Sequence, residues 1–338
     1  MSVLTAPRTS TARLTGIDAA RALAFAGMLL AHFASSTRTT DPGWLQALDN
    51  AADGRAAPLF CLLLGVGAGL LAARGTSDAA FVRRGLVLFG LGLAVWPHVD
   101  RVFFILPHYG ILLALFPLVR RMPTRWLLPA AGAAFLIPSA VVATFGDLGL
   151  RAGGQPSTYA EVIDLPAVLG GILWTGGYPI LGWAGFVLVG AWVVRLPLRR
   201  AGTQWALLAG SLAVAATQPL VASAGDPAFL DSAAHSNQTA WYVLASATAV
   251  AVLAACLLLA GRVRVLVPLG QTALTAYLAH LLLGEALVFP WLEQAGPALA
   301  TQMVVAAAVF VGLAVAASAW LARHRRGPVE TLVRTLAH

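Results

Sequence analysis

The chain has 338 residues, 59% of them hydrophobic and 11% charged, with a mean hydropathy of +0.80. Soluble domains average roughly 45–50% apolar and 25% charged residues, so this composition excludes a water-soluble globular protein and requires an integral membrane protein. The formal charge is +8 and all 22 basic residues are arginine, which would suit a nucleic-acid partner only if the arginines shared one face.

A bilayer span needs about 20 mostly apolar residues. Reading for such runs between charged or Pro/Gly-rich breaks predicts an all-α, polytopic protein of about ten transmembrane helices. They cover 15–36, 56–73, 81–97, 102–119, 126–145, 178–194, 204–222, 240–260, 267–290 and 298–321. The first follows Arg8 and Arg13 in the manner of a signal peptide. Asp18 and Arg21 interrupt its apolar core and no clear A-x-A site follows, so a retained helix is expected. The segment 165–176 reads as re-entrant or interfacial. The expected organisation is a cytoplasmic tail over 1–14, one transmembrane domain over 15–321 and a basic cytoplasmic tail over 322–338.

Positively charged short loops stay in the cytoplasm. With the N-terminus inside, 17 of the 22 arginines fall on the cytoplasmic side, in six short segments. The expectation is therefore both termini in the cytoplasm, a plasma-membrane location, the lipid bilayer as partner and no nucleic acid. Cys61 and Cys256 lie in apolar runs without CxxC or metal-ligand spacing, which leaves them as packing residues and predicts no metal site. The string GVGAG (65–69) lies within a membrane helix with no preceding strand, so close helix packing is expected of it rather than dinucleotide binding. Asn237-Gln238-Thr239 fits a glycosylation sequon, to which no function is attached.

Ionisable groups within a membrane are costly and call for partners or work. On the first helix, the eleven-residue step from Arg21 to His32 returns to within about 20° of the same face, roughly 16 Å along the axis. Asp18 and Arg21, three apart, are placed to neutralise each other. His32 then falls near the outer end. Asp53, Arg55, His108, His235, His280 and Glu285 also come out in the outer half of the membrane or at its surface. A cluster of imidazoles and carboxylates suits proton transfer near neutral pH. His280 and Glu285, five apart, are about 140° apart on a helix, so each needs a partner from another element.

Asp18-Ala-Ala-Arg21 followed by ten residues and His32 resembles the first-helix motif of the acyltransferase-3 membrane enzymes. PLFCLLLGVGAGLLAARG and FVRRGLVLF resemble their second and third helices. The whole chain is similar to two relatives of that group, the YeiB-like membrane proteins of unknown function and the heparan-α-glucosaminide N-acetyltransferases. This likeness is carried by Asp53-Gly-Arg, LPHYGILLAL (106–115), YPILGWAGFVLVG (178–190), GQTALTAYLAH (270–280) and RRGPVETLVR (325–334).

The resemblance implies transfer of an acyl group, commonly acetyl, from cytoplasmic acyl-CoA to an extracytoplasmic hydroxyl or amine such as a sugar's. Acyl-CoA would be a co-substrate, with no permanently bound cofactor. It implies His32 as catalytic base, Arg21 as a support or acyl-CoA contact and Asp53 as a polar partner near the acceptor; His280 is a further catalytic candidate, and Asp18 is grouped with Arg21 at the donor. Arg83 and Arg84 are cytoplasmic candidates for the donor's phosphates, although topology anchoring also explains them. Arg55, His108, His235 and Glu285 are candidates for the acceptor. Two departures stand out: the Ser-Gly step of acyltransferase-3 proteins is Leu64-Gly65, and the heparan-type loop histidine has no match between Ser35 and Asp53. A proton-coupled transporter or flippase using the buried charges is the alternative, and an oligomer is left open.

Overall fold

The computed structural model describes residues 13–34, 41–99, 101–145, 161, 163–175, 177–224 and 229–337. Arg8, Arg38, Asp100, Asp147, Arg151 and Asp226 lie outside the described residues. The described chain is all-helical, with no strand. In order it forms α1 (Thr15–Phe33), α2 (Gly43–Ala52), α3 (Ala56–Ala73), α4 (Asp78–Val95), α5 (Leu106–Ala114), α6 (Phe116–Arg121) and α7 (Thr124–Phe145). Then come α8 (Leu165–Gly170), α9 (Ile180–Val193), α10 (Ala201–Ala215), α11 (Gln218–Ser223) and α12 (Thr239–Leu258). The last are α13 (Val267–Gln271), α14 (Ala273–Leu283), α15 (Phe289–Ala295), α16 (Leu299–Leu321) and α17 (Pro328–Leu336).

Seven helical stretches among the described residues are long and apolar enough to cross a membrane: Thr15–Phe33, Gly43–Ala73, Asp78–His98, Ala201–Ser223, Thr239–Leu258, Ala273–Ala295 and Leu299–Leu321. This is a multi-pass membrane protein. The remaining runs expected as spans take other forms. The run 102–119 is split at Leu115 into α5 and α6, each with a proline in its first turn. The run 126–145 lies within α7, which carries Pro129 and Pro138. The run 178–194 becomes the 14-residue α9. Within 165–176, α8 continues as the π-helical turn Gly171–Thr175.

Two helices were not expected. The ten-residue α2 is too short for a search based on spans. The segment read as a basic tail forms α17, which packs on α4 and α14.

The first helix is the hub. It packs against α3, α12, α13 and α16, and its small residues Ala19, Ala20 and Ala22 are fully buried. Small side chains let backbones approach in a bilayer, where apolar burial gives no net attraction between helices. The glycine string does this on α3: a Cβ on Gly65 would fall on the Val187 carbonyl of α9, and one on Gly190 of α9 would fall on the Leu62 carbonyl of α3. Gly67 faces the Arg21 guanidinium instead. On the other side of α1, a Cβ on Gly270 would strike the Asp18 carbonyl, which fixes α13 against the charged end of the first helix.

The run expected as 267–290 is interrupted twice. It breaks at Thr272, between α13 and α14, and contains a π-helical turn at Gly284–Val288. Single π-turns inside helices reset the facing of side chains and are frequent at functional sites. Here the turn follows His280 within the same apolar stretch.

Candidate functional site

Three levels can be distinguished along α1. At its start, Asp18, 2% exposed, accepts two hydrogen bonds from Arg13 (2.6 and 3.0 Å) and one from Arg21 (2.9 Å). The expected neutralisation of Asp18 and Arg21 is therefore made, with Arg13 as a third member. The pair lies on the wall of a cavity of about 880 Å³, near the upper end of the usual range for small-molecule sites, roughly 300–1,000 Å³.

That cavity has a polarity gradient. Arg13, Arg74, Arg199, Gln271 and Glu330 contribute its polar lining near the ends of their helices, and Arg21 lies one turn further along α1 from Asp18. Beyond them the wall is made of Met28, Phe60, Leu63, Ile105, Leu106, Tyr109 and Tyr277, among others. Four arginines against Asp18 and Glu330 leave a net positive lining, which attracts anions. Arg83 and Arg84, the sequence candidates for a phosphate contact, do not line this cavity. Arg83 Nε instead donates to the Ala337 carbonyl at 2.9 Å, tying α4 to the end of α17. Glu330 of α17 caps the start of α14, accepting from Leu274 N (2.9 Å), Thr275 N (3.2 Å) and the Thr275 hydroxyl (2.5 Å). A carboxylate at a helix N-terminus complements its unpaired N–H groups.

One turn beyond Met28 on α1 stands His32. Its Nδ1 lies 3.1 Å from His280 Nε2, with the rings stacked at 5.2 Å. At that distance one imidazole donates and the other accepts, so the pair shares a proton. His280 is fully buried, and Phe25 and Phe33 of α1 meet its ring edge-on. Its Nδ1 is buried and has no hydrogen-bond partner among the described residues. The partner from another element that the spacing required for His280 is thus His32, 248 residues away in sequence.

The third level holds the remaining candidates. His235 Nε2 lies 3.6 Å from Asp53 Oδ1. Burial pushes the His235 imidazole below its ordinary pKa, Arg55 adds to this and Asp53 opposes it. His235 and Asn237 both sit at positive φ, 58° and 54°, a region non-glycine residues adopt uncommonly but His and Asn more readily than most.

The Asn237 carboxamide holds that loop in place. Its oxygen accepts from Trp183 Nε1 (3.0 Å) and the Tyr242 hydroxyl (3.1 Å), and its nitrogen donates to the Gly177 carbonyl at 3.4 Å. The amide of the apparent sequon is thus committed to packing. His108, 4% exposed, sits between the rings of Trp96 and Tyr178, and neither ring nitrogen has a hydrogen-bond partner. Arg55 Nη1 and Trp241 Nε1 are likewise buried and unpartnered. Unsatisfied buried donors of this kind suit a polar ligand.

Glu285 goes elsewhere. It is salt-bridged to Arg101 at 2.7 Å, and Arg101 also holds Glu293 at 2.8 Å. The structure thus joins His32 to His280 and Asp18 to Arg21, and gathers Asp53 with His235. Glu285, on the π-helical turn, is paired with Arg101 ahead of α5, and Arg83 and Arg84 of α4 stay outside the cavity, Arg83 being tied to the end of α17. The cavity residues Arg13, Arg74, Arg199, Tyr109 and Tyr277 were not singled out by the sequence. The only hint was the YLAH tetrapeptide, which puts Tyr277 one turn before His280. Cys61 and Cys256 are free and buried, and among the described residues no three His, Cys, Asp or Glu side chains gather as a metal site.

Comparison with known protein families gives two matches. The family described as heparan-alpha-glucosaminide N-acetyltransferase, catalytic, matches residues 13–228, more than half of the chain. A second, described as a protein of unknown function (DUF418), matches residues 191–338. His32 falls in the first match and His280 in the second, so the histidine pair joins the two. A search of curated proteins finds no match.

Proposed function

The chain belongs to the heparan-alpha-glucosaminide N-acetyltransferase catalytic family, and from that membership we propose that it is an acyl-CoA-dependent membrane acyltransferase. The observation that carries this reading is the cavity: cationic at one end, apolar along its length, and lined at the other end by Tyr277, whose ring lies 5.4 Å from that of His280. CoA carries its phosphates at one end and its thioester at the other, and this gradient suits it.

In this reading Arg13, Arg74 and Arg199 attract the phosphates. Arg21, held by Asp18, adds positive charge further in. The acyl group reaches the level of His32 and His280, while the acceptor approaches from the side of Asp53, Arg55, His108 and His235. The acceptor's hydroxyl or amine attacks the thioester carbonyl carbon as His32 takes its proton, with His280 sharing the charge. The C–S bond then breaks, and the histidine pair returns the proton to the leaving thiolate. General acid–base catalysis of this kind contributes typically 10²–10⁴-fold.

The arginine distribution supports an orientation with both termini in the cytoplasm, about ten membrane crossings in a single domain over 15–321, and a plasma-membrane location. Acetyl is the proposed acyl group and an extracytoplasmic carbohydrate the proposed acceptor.

The test uses the purified protein in lipid nanodiscs with labelled acetyl-CoA, following free CoA in the presence of a membrane extract. Saturable binding is expected in the wild type. His32→Ala should keep binding while CoA release falls by about 100-fold or more. Absence of binding by folded wild-type protein would overturn the acyltransferase and leave the proton-coupled transporter.

A further inference from the structure

Tyr277 stands where the two halves of the proposed site meet. It lines the cavity and precedes His280 by three residues on α14, about 4.5 Å along the axis. Its ring is held parallel to that of Phe104, with centroids 5.9 Å apart and planes 3° from coplanar. Its hydroxyl oxygen accepts the backbone N–H of Ile105 at 3.3 Å. Ile105 lines the same cavity, so this bond places the phenol oxygen on the cavity wall. Tyr277 is only 6% exposed.

A phenol offers one donor as well as acceptor capacity. The backbone bond uses the acceptor side, and no acceptor among the described residues takes the proton. A hydroxyl that already accepts one hydrogen bond donates a stronger one, because chained bonds polarise each other. Of the other polar groups of the cavity, Arg21 is bonded to Asp18 and Glu330 is committed to the start of α14; the Tyr109 hydroxyl is also buried and unpartnered, but it is the Tyr277 ring that lies against the His280 ring. A fixed, buried donor one helical turn short of the histidine pair has the arrangement required to stabilise charge that develops on a carbonyl oxygen.

We propose that the Tyr277 hydroxyl is a catalytic hydrogen-bond donor to the carbonyl oxygen of the acyl thioester. The proposal rests on the acyl-CoA reading above. When the acceptor's oxygen or nitrogen forms its bond to the carbonyl carbon, the C=O electron pair moves onto the oxygen, and Tyr277 stabilises that charge without giving up its proton. The oxygen's electrons then reform the carbonyl, the C–S bond breaks, and the sulfur leaves with the proton held by His32 and His280. No oxidant or further reactant is needed.

The experiment compares wild type with Tyr277→Phe in nanodiscs. CoA release from acetyl-CoA should lose about 100-fold in kcat, with KM for the donor within about threefold. Two uncleavable probes separate chemistry from packing. Acetonyl-CoA keeps a carbonyl, S-ethyl-CoA has none. Tyr277→Phe should bind acetonyl-CoA about five- to tenfold more weakly and S-ethyl-CoA as the wild type does. Equal weakening for both probes, or an unchanged kcat, would overturn the assignment.

Replacing Tyr277 with 3-fluorotyrosine keeps the ring and the Ile105 contact while making the phenol more acidic, and covers the case in which the phenylalanine variant fails to fold. It should raise kcat, and an unchanged kcat again overturns the proposal. If folded wild type binds neither probe nor acetyl-CoA, the acyl-CoA reading itself fails. If wild type binds and turns over while the variants match it, only the role of Tyr277 fails.

Discussion

Removing the charge of Asp18 tests the base of the site most directly. This carboxylate is 2% exposed and binds Arg13 and Arg21 together, and the Arg21 side chain, 26% exposed, faces the cavity. Asp18→Asn preserves the shape and leaves Arg21 without a counter-charge. Breaking a buried ion pair by removing one partner costs about 3–5 kcal/mol. The partial exposure of Arg21 and the oxygen retained by asparagine bring the expectation to the lower end, about 3 kcal/mol, or roughly a hundredfold in the folding equilibrium.

Arg21→Gln should cost less, because Asp18 keeps Arg13. The double variant should fall short of the sum of the two by about 1–2 kcal/mol, the signature of groups in contact. Equilibrium unfolding in mixed micelles, followed by tryptophan fluorescence, measures all three. Additivity within about 0.5 kcal/mol, or an Asp18→Asn variant as stable as wild type, would refute the argument that this pair is held by mutual neutralisation.

Two further perturbations probe the frame and the outer level. Gly65→Val places a side chain against the Val187 backbone and should cost at least about 1–3 kcal/mol, whereas Gly312→Ala, where a Cβ meets nothing within 4 Å, should be neutral or stabilising; thermal unfolding of the two variants compares them. For His235 the folded-state pKa lies below its ordinary value of about 6.5. As pH falls below about 6.5 the unfolded chain therefore takes up a proton that the folded chain refuses, and stability is lost toward the lower folded pKa, with no such loss above about pH 7. The drop in Tm between pH 7.5 and 5.5 should be smaller in His235→Gln than in wild type; equal drops would place the titration elsewhere.

The helices that a hydropathy reading finds most readily are those whose whole length is apolar, such as α12 and α16. Their boundaries differ from expectation by only a residue or two. The short or split elements were less legible. Leu115 and Pro117 divide a run that composition alone presents as continuous, because a helix break within apolar sequence leaves hydropathy unchanged.

The C-terminal helix had a readable signal. Val329, Leu332, Val333 and Leu336 recur at helical spacing, and Pro328 opens the helix where its missing N–H is not needed. At nine residues it is too short to register as a span. Of the site, the stripe carrying Asp18, Arg21 and His32 could be read from α1 alone, since one helix fixes its own facing. The partnership with His280 needed the fold, as did the cavity, whose lining comes from α1, α3, α4, α5, α13, α14 and α17 together with loop residues. Spacing within one segment carries no information about which segments converge.

The first helix gives the molecule an internal ruler. Arg21 and His32 stand on one uninterrupted helix, separated by eleven residues or about 16 Å, and α13 is held against it by the close approach of Gly270 to the Asp18 carbonyl. The spacing between Arg21 and His32 is therefore set by the helix that carries both. Whatever lies along the cavity has to match that length itself, so selection by reach is set by the rise of a single helix, and a one-residue insertion between Arg21 and His32 would both lengthen the gauge and turn its two marks onto different faces.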